Sequence, residues 1–383
     1  MEQIGINSNV LAGGKLFHIQ TAGNMVEKMI KSEVYDGGRV IMMHRKKLDE
    51  PFHQYLNREQ FQEFLSSFHH EIAWEIELLF YIRDKIKTVK HAISNNKMGL
   101  VFLRKGMVDE AIGEFAEAIE KDNEMIEAYN NLGMAYMQKS AWKEAIDILK
   151  KGCELAPQFP DLRNNLGLAY TKMQTYLEAL DAFQSALKIN PNYSEVYLNM
   201  AMTHIESVIQ APENKILPPP SIRKRRALEN IQKIVTFPGY ADDRALQSKF
   251  DKAIKELAGD ELAKALRSLY EAREMMQNPK MDETIHGFYL KFLFGGAGKD
   301  DKVLNDYRAQ MERGLDENPN YADLHNSLGL VYLIQCRNLF LKAVGQFKKA
   351  HDINPTYKNA YRNYKLVQND GREFLNLLRA ILK

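Results

Sequence analysis

The sequence predicts a mainly α fold: an α-α superhelical repeat solenoid with a small N-terminal antiparallel β module. Three observations predict it. First, Gly99, Gly133, Gly167 and Ala201 stand 34 residues apart. Ala111, Ala145 and Ala179 keep the same step, as do Phe115, Leu149 and Phe183, and Ala118, Gly152 and Ala186. A period of this size is the signature of stacked helix pairs. Second, the chain has 383 residues, whereas one compact domain holds ~100–150. A solenoid escapes that limit because each repeat packs only on its neighbours. Third, residues 1–48 lack helical periodicity. Lys15–Gln20 and Arg39–Arg45 are short β-rich runs, and Asp36-Gly37-Gly38 before the second is a hairpin signal.

Composition narrows the function classes. The chain is 45% hydrophobic and 27% charged, with a net charge of +2. That balance argues against a nucleic-acid footprint, which needs a strong basic excess on one face. Cys153 and Cys336 lie far apart, which fits a reducing compartment and gives no metal-ligand spacing. The N-terminus has no basic region followed by an apolar run, and no stretch approaches the ~18–20 apolar residues of a membrane span. The expectation is a cytoplasmic protein with at most indirect membrane contact.

The elements follow in order. Residues 1–48 are the β module, too small to stand alone and therefore expected to pack on helices. Residues 49–91 are connecting and capping helices. From Arg58 to Ala92, a stripe of Phe61, Phe64, Leu65, Phe68, Ile72, Leu79 and Ile82 predicts a helix. Residues 92–206 hold three helix pairs and the first helix of a fourth. In the second pair, Ile126–Gln138 is helix A and Trp142–Glu154 is helix B. Gly or Ala at the crossing lets the helices approach, Tyr and Phe fill the space beside it, and Pro157 and Pro191 stop helix B.

This block resembles the tetratricopeptide repeat family. The family pattern reads here as Tyr129, Leu132-Gly133, Tyr136, Ala145, Leu149, Gly152 and Pro157, then Leu166-Gly167, Tyr170, Ala179, Phe183, Ala186 and Pro191. Arg163 departs from it, as do Ala201 and His204, and no second helix follows the fourth helix A in register. The β module's FHIQT and VYDGGRVI resemble a short module of some uncharacterised bacterial proteins, which implies no activity.

Residues 207–280 read as a Pro-rich connector (QAPENKILPPPS) and a helical insertion, or as degenerate repeats. Residues 281–383 read as a C-terminal block similar to the repeats. It has Glu283–Phe294 and Lys302–Glu317 as one pair, and Leu328-Gly329, Tyr332, Ala343, Phe347, Ala350 and Pro355 as the next. Capping helices at Tyr357–Gln368 and Glu373–Leu382 would close the last face.

Helix A residues at offsets 0, +3, +7 and +10 share one side, the inner wall. The candidate groove is Asn96, Leu100, Leu103 and Arg104; Asn130, Met134 and Met137; Asn164, Leu168 and Lys172; and Met202. Met adapts to varied partners, and an Asn amide pairs with both peptide N–H and C=O. The alternative for the Asn ladder is local packing or capping, which is preferred for Asn131 and Asn165. In similar repeat proteins such asparagines hold peptide backbones. A carboxylate clamp is disfavoured, because Arg104 and Lys172 are opposed by Glu127, Asp161 and Glu195.

Other motifs read as structural. Arg223-Lys224-Arg225-Arg226 is taken as the solvated first turn of a helix capped by Ser221, rather than as a lipid or nucleic-acid site. Gly295–Lys299 lacks the phosphate-loop pattern and reads as an inter-helix loop. His69-His70-Glu71 with Glu75 reads as a surface cluster. No catalytic residue, metal or cofactor is expected, since 48 residues of β module are too few to enclose a site. The resemblance implies a non-catalytic adaptor or scaffold that docks a partner's peptide or helix in the concave groove. The alternatives are a homo-oligomeric scaffold, pairing through Phe374, Leu377, Leu378 and Ile381, and a secretion-type chaperone.

Overall fold

The structure is a computed structural model. It describes residues 3–24, 29–47, 58–88, 91–237, 243–276, 301–317 and 322–367, with Gly371 and Asn376. The chain divides into two units: residues 1–32, 45–88 and 281–383 in one, and residues 33–44 and 89–280 in the other.

The sheet comprises β1 (Gln3–Ala12), β2 (Lys15–Asn24), β3 (Met29–Asp36) and β4 (Arg39–Lys47), in that spatial order. Strand β1 was not expected from the sequence. Its signal is Gly13-Gly14, both at positive φ (60° and 80°), a turn matching that of Gly37-Gly38. Such mirror-image turns suit the twist of a two-residue hairpin. Phe17, Ile19, Thr21 and Gly23 alternate onto the buried face of β2.

Helix α1 (Arg58–Lys87) covers that face with Phe61, Leu65, Phe68, Ile72, Ile76 and Phe80. The Phe17 and Phe80 rings lie 5.4 Å apart. Phe64, expected in the buried stripe, is exposed, and the Lys46 ammonium sits 5.2 Å over its ring. His69 corrects the surface-cluster expectation, since it is only 3% exposed. Its Nδ1 bonds Thr21 Oγ1 (2.8 Å), its Nε2 bonds Ser8 Oγ (2.7 Å), and Thr21 also bonds Ser32 (2.9 Å). His69 follows Leu65 by four residues and precedes Ile72 by three, which puts it on the apolar side of the helix. Burial, helped by His70, lowers its pKa.

The second unit holds ten helices among the described residues. They are α2 (Ala92–Arg104), α3 (Val108–Lys121), α4 (Ile126–Gln138), α5 (Trp142–Leu155), α6 (Pro160–Lys172), α7 (Tyr176–Ile189), α8 (Ser194–Gln210), α9 (Pro220–Ile234), α10 (Arg244–Ala258) and α11 (Leu262–Met276). They pack as consecutive pairs. A Cβ placed on Gly99, Gly133 or Gly167 would fall 2.5 Å from Phe115, Leu149 or Phe183 respectively. The small residue therefore sets the helix crossing, as the period implies. Within the first three pairs the turn residue is left-handed: Gly106, Ser140 and Gln174, at φ 74°, 61° and 60°. A Schellman bond closes each turn, with Met107, Ala141 and Thr175 donating N–H to the carbonyls of Phe102, Tyr136 and Tyr170.

The same device recurs where the repeat motif does not. Asp260 is left-handed (φ 59°), and Glu261 N–H donates to Glu256 O between α10 and α11. Ala253, Ala265, Leu269 and Ala272 are fully buried at the spacing of Gly133, Ala145, Leu149 and Gly152. Helix α9 packs on α8 as the second helix of the fourth pair, with Ala227, Ile231 and Ile234 buried. The lengthened connector displaces it from register. Helices α8 to α11 share one apolar core.

The C-terminal helices differ from the sequence expectation. Helix α12 (Asp301–Glu317) packs against α13, which runs unbroken from Ala322 to Ile353. The stretch expected to hold two helices with a turn between them is thus one helix. Where the true pairs place Gly106, Ser140 or Gln174, this segment has Cys336 within Gln335-Cys336-Arg337, and nothing interrupts the helix. Nothing crowds a Cβ at Gly329, unlike Gly133. Residues 358–367 are helical. The expected helix Glu283–Phe294, the loop Gly295–Lys299, and Phe374, Leu377, Leu378 and Ile381 lie outside the described residues.

Candidate functional site

The first helices of the pairs, α2, α4, α6 and α8, lie side by side and form the wall that carries the Asn ladder. Asn131 Nδ2 donates to Asn96 Oδ1 (2.9 Å), Asn165 Nδ2 to Asn130 Oδ1 (2.8 Å), and Asn199 Nδ2 to Asn164 Oδ1 (2.9 Å). Each repeat thus offers a side-chain carbonyl, and the next fills it with an amide. In α4 and α6 two adjacent asparagines divide the roles, one accepting and one donating. Asn96 and Asn164 are buried in these bonds, while Asn130 keeps its amide 4.0 Å from Met134 sulfur and is half-buried. The carbonyls of the ladder are therefore spent between repeats.

The remaining candidates divide by exposure. Met134 is 39% exposed and Ile93, in the first turn of α2, 41%. Leu100, Met137 and Leu168 are half-buried, and Arg104 is exposed. Leu103 is buried, and Met202 is only 4% exposed within the core shared by α8 to α11. The reason is local: α9 and α11 both lie against α8, so its apolar residues have become interior.

Lys172 is occupied by the chain itself. Its Nζ donates to Glu206 Oε1 (3.2 Å) and to Tyr270 Oη (3.2 Å), and Tyr270 donates to the same Glu206 oxygen at 2.8 Å. Helix α11 thereby reaches both α8 and α6. Burial raises the pKa of Glu195, which Asp161 also raises and Arg273 opposes. The wall is thus closed by α11 at this end, and its open part is α2, α4 and α6.

Within the basic run, Arg225 and Arg226 are exposed as expected, whereas Arg223 departs from the solvated turn. Arg223 is only 1% exposed, and α9 begins at Pro220, so Ser221 is not its cap. The guanidinium donates to the carbonyls of Ser207, Ala211 (3.1 Å) and Pro212 (3.1 Å), at the C-terminal end of α8. Ser207 O and Ala211 O also accept the backbone N–H of Ala211 and Asn214, so the cation adds a second donor there and opposes the helix dipole. Lys224 pairs with Asp260 at 2.8 Å and Arg225 with Glu229 at 3.4 Å. Next to this cap, His204 is buried with Nδ1 unpaired. Burial, then Arg226 and Arg223, brings its pKa down to about 4.

Two family models match the chain, one described as "TPR repeat" over residues 133–174 and one as "Tetratricopeptide repeat" over 160–193. Residues 133–193 match tetratricopeptide repeats. Among solved structures it is similar to MamA, at 19% identity over 48% of this chain and 99% of that one, with a TM-score of 0.35. It is also similar to Pseudomonas aeruginosa pilF, at 17% identity over 61% and 95%, with a TM-score of 0.36. A third is YrrB, described as a TPR protein with an unusual peptide-binding site, at 18% identity over 53% and 95%, with a TM-score of 0.34. No curated protein matches the chain. These matches support a protein–protein interaction adaptor or scaffold. Among the described residues, no helix is long and apolar enough to cross a membrane.

Proposed function

We propose that this chain is a non-catalytic adaptor that docks a segment of a partner protein on the open wall of α2, α4 and α6. The observation that carries this reading is the exposure of Ile93 and Met134 beside half-buried Leu100, Met137 and Leu168, with the Asn130 amide between them. An apolar strip with one polar group suits the face of an amphipathic helix or an extended peptide. The Asn ladder contributes its Asn130 amide to this reading, not three open side chains. Lys172 serves as a fastening for α11, and Arg104 with Glu127 flanks the strip.

The test is affinity capture from native lysate, wild type beside an Ile93→Glu, Met134→Glu double variant. Both positions are exposed, so the fold should persist, which circular dichroism would verify. Loss of a wild-type partner supports the groove. Equal retention by a folded variant overturns it.

A further inference from the structure

The two edges of the sheet are unlike. Strand β4 carries Arg39, Arg45, Lys46 and Lys47, charges of the kind that keep an edge from pairing. Strand β1, at the other edge, reads QIGINSNVLA and has no charge and no proline. It pairs with β2 without a bulge from Gln3↔Asn24 to Ala12↔Lys15. Length, charge, proline and bulges are the common protections of an edge strand, and β1 has none of them. Among the described residues, no second strand pairs with it.

We infer that β1 is an assembly edge whose occupant is β1 of a second copy of this chain, running antiparallel. The strand is complementary to itself about Ser8. In that register Ile4 meets Ala12 and Ile6 meets Val10 on the face covered by α1, and Ser8 meets Ser8. On the other face, Asn7 meets Asn9 and Gly5 meets Leu11. A slip of one residue would set the face covered by α1 in one strand against the opposite face of its mate, so the pleat selects the match. Ile4 and Ile6 are only half-buried, and Leu11 is 72% exposed, so pairing covers apolar surface that the single sheet leaves partly open. No charge on either strand opposes the approach. This assembly is independent of the groove reading. It would place two repeat walls in one particle and raise the apparent affinity for any bivalent partner.

The experiment is sedimentation velocity on the full chain over a concentration series. It uses wild type, Asn7→Lys/Asn9→Lys, Asn7→Glu/Asn9→Glu and, as a control on the opposite edge, Val40→Lys. The wild type and the Val40→Lys chain should dimerise alike. Each doubly charged variant should dimerise at least about tenfold more weakly, since like charges face each other across the pair. Mixing the Lys and Glu variants should restore a dimer. Circular dichroism melts show whether each variant is folded. A wild type that stays monomeric throughout overturns the inference. So does a folded Lys variant that dimerises like wild type, or a Lys and Glu mixture that stays monomeric.

Discussion

His204 offers the sharpest test of the packing around α8. Its imidazole is 2% exposed, its Nδ1 has no partner, and Arg226 and Arg223 stand close by. Each of these disfavours the charged ring, and the pKa falls from 6.5 to about 4. The unfolded chain then binds a proton that the folded chain refuses. Stability is complete above pH 6.5 and is lost as pH falls towards 4. The full shift corresponds to about 3 kcal/mol, and at pH 4.5 about 2.5 kcal/mol of it has gone. In His204→Gln the titrating group is absent. Urea unfolding followed by circular dichroism at pH 7.5 and 4.5 measures the difference. The wild type should lose about 2.5 kcal/mol more than the variant between the two pH values. Other titrating groups, among them His69, whose pKa also falls, are present in both proteins and cancel. Parallel losses in the two proteins would refute a buried neutral His204.

Three further outcomes are expected. Asn131→Ala leaves Asn96 Oδ1 without its donor and should cost about 1–3 kcal/mol in urea unfolding; a double-mutant cycle with Asn96→Ala should show coupling, and additivity would count against the bond. Gly167→Ala drives a methyl group to 2.5 Å from the Phe183 ring and should lower stability by about 1–3 kcal/mol, read as a fall in the thermal midpoint. Arg223→Met removes the guanidinium from three carbonyls at the end of α8 and should cost about 2 kcal/mol or more, with faster amide exchange in residues 207–211; an unchanged exchange pattern would refute the cap.

The repeat was legible because close helix crossings demand a small residue, and the 34-residue step puts that demand in fixed places. Gly99, Gly133 and Gly167 were therefore readable without coordinates. Helices α10 and α11 fall in the stretch read as a helical insertion or degenerate repeats, but their crossing was not legible, because its residue is Ala253, and alanine is too common in helices to mark one. Helix α9 lies in the same stretch and was not read as the second helix of the fourth pair, because the long connector moved it out of step. The opposite failure is instructive at α13, where Leu328-Gly329, Tyr332, Ala343, Phe347 and Ala350 imitate the motif without a left-handed residue to turn the chain. Of the candidate wall, Asn130, Met134, Leu100, Met137 and Leu168 stay available to a partner, whereas Asn96, Asn164, Leu103 and Met202 are interior. A helix-face rule assigns a direction to a side chain, and it is blind to neighbours such as α11 that arrive from later in the chain. His69 and Arg223 were misplaced for a related reason: a polar residue among polar neighbours reads as exposed until the groups it serves are known.

The asparagine bonds have a polarity that bears on how the repeats come apart. Each link joins a donor to the carbonyl of the repeat before it, and the series stops at Asn199, whose own Oδ1 is left open. From α2 to α8, separating neighbouring repeats means exposing apolar surface and breaking a buried amide bond in the same event. Beyond Asn199, among the described residues, no asparagine link joins α10 to α8, and the last pair is held by apolar contact, by the fastening of Tyr270 and by the Lys224–Asp260 pair. Mechanical or thermal fraying therefore has a built-in starting point. The seam before α10 is expected to open first, with the stitched repeats behind it letting go as a block.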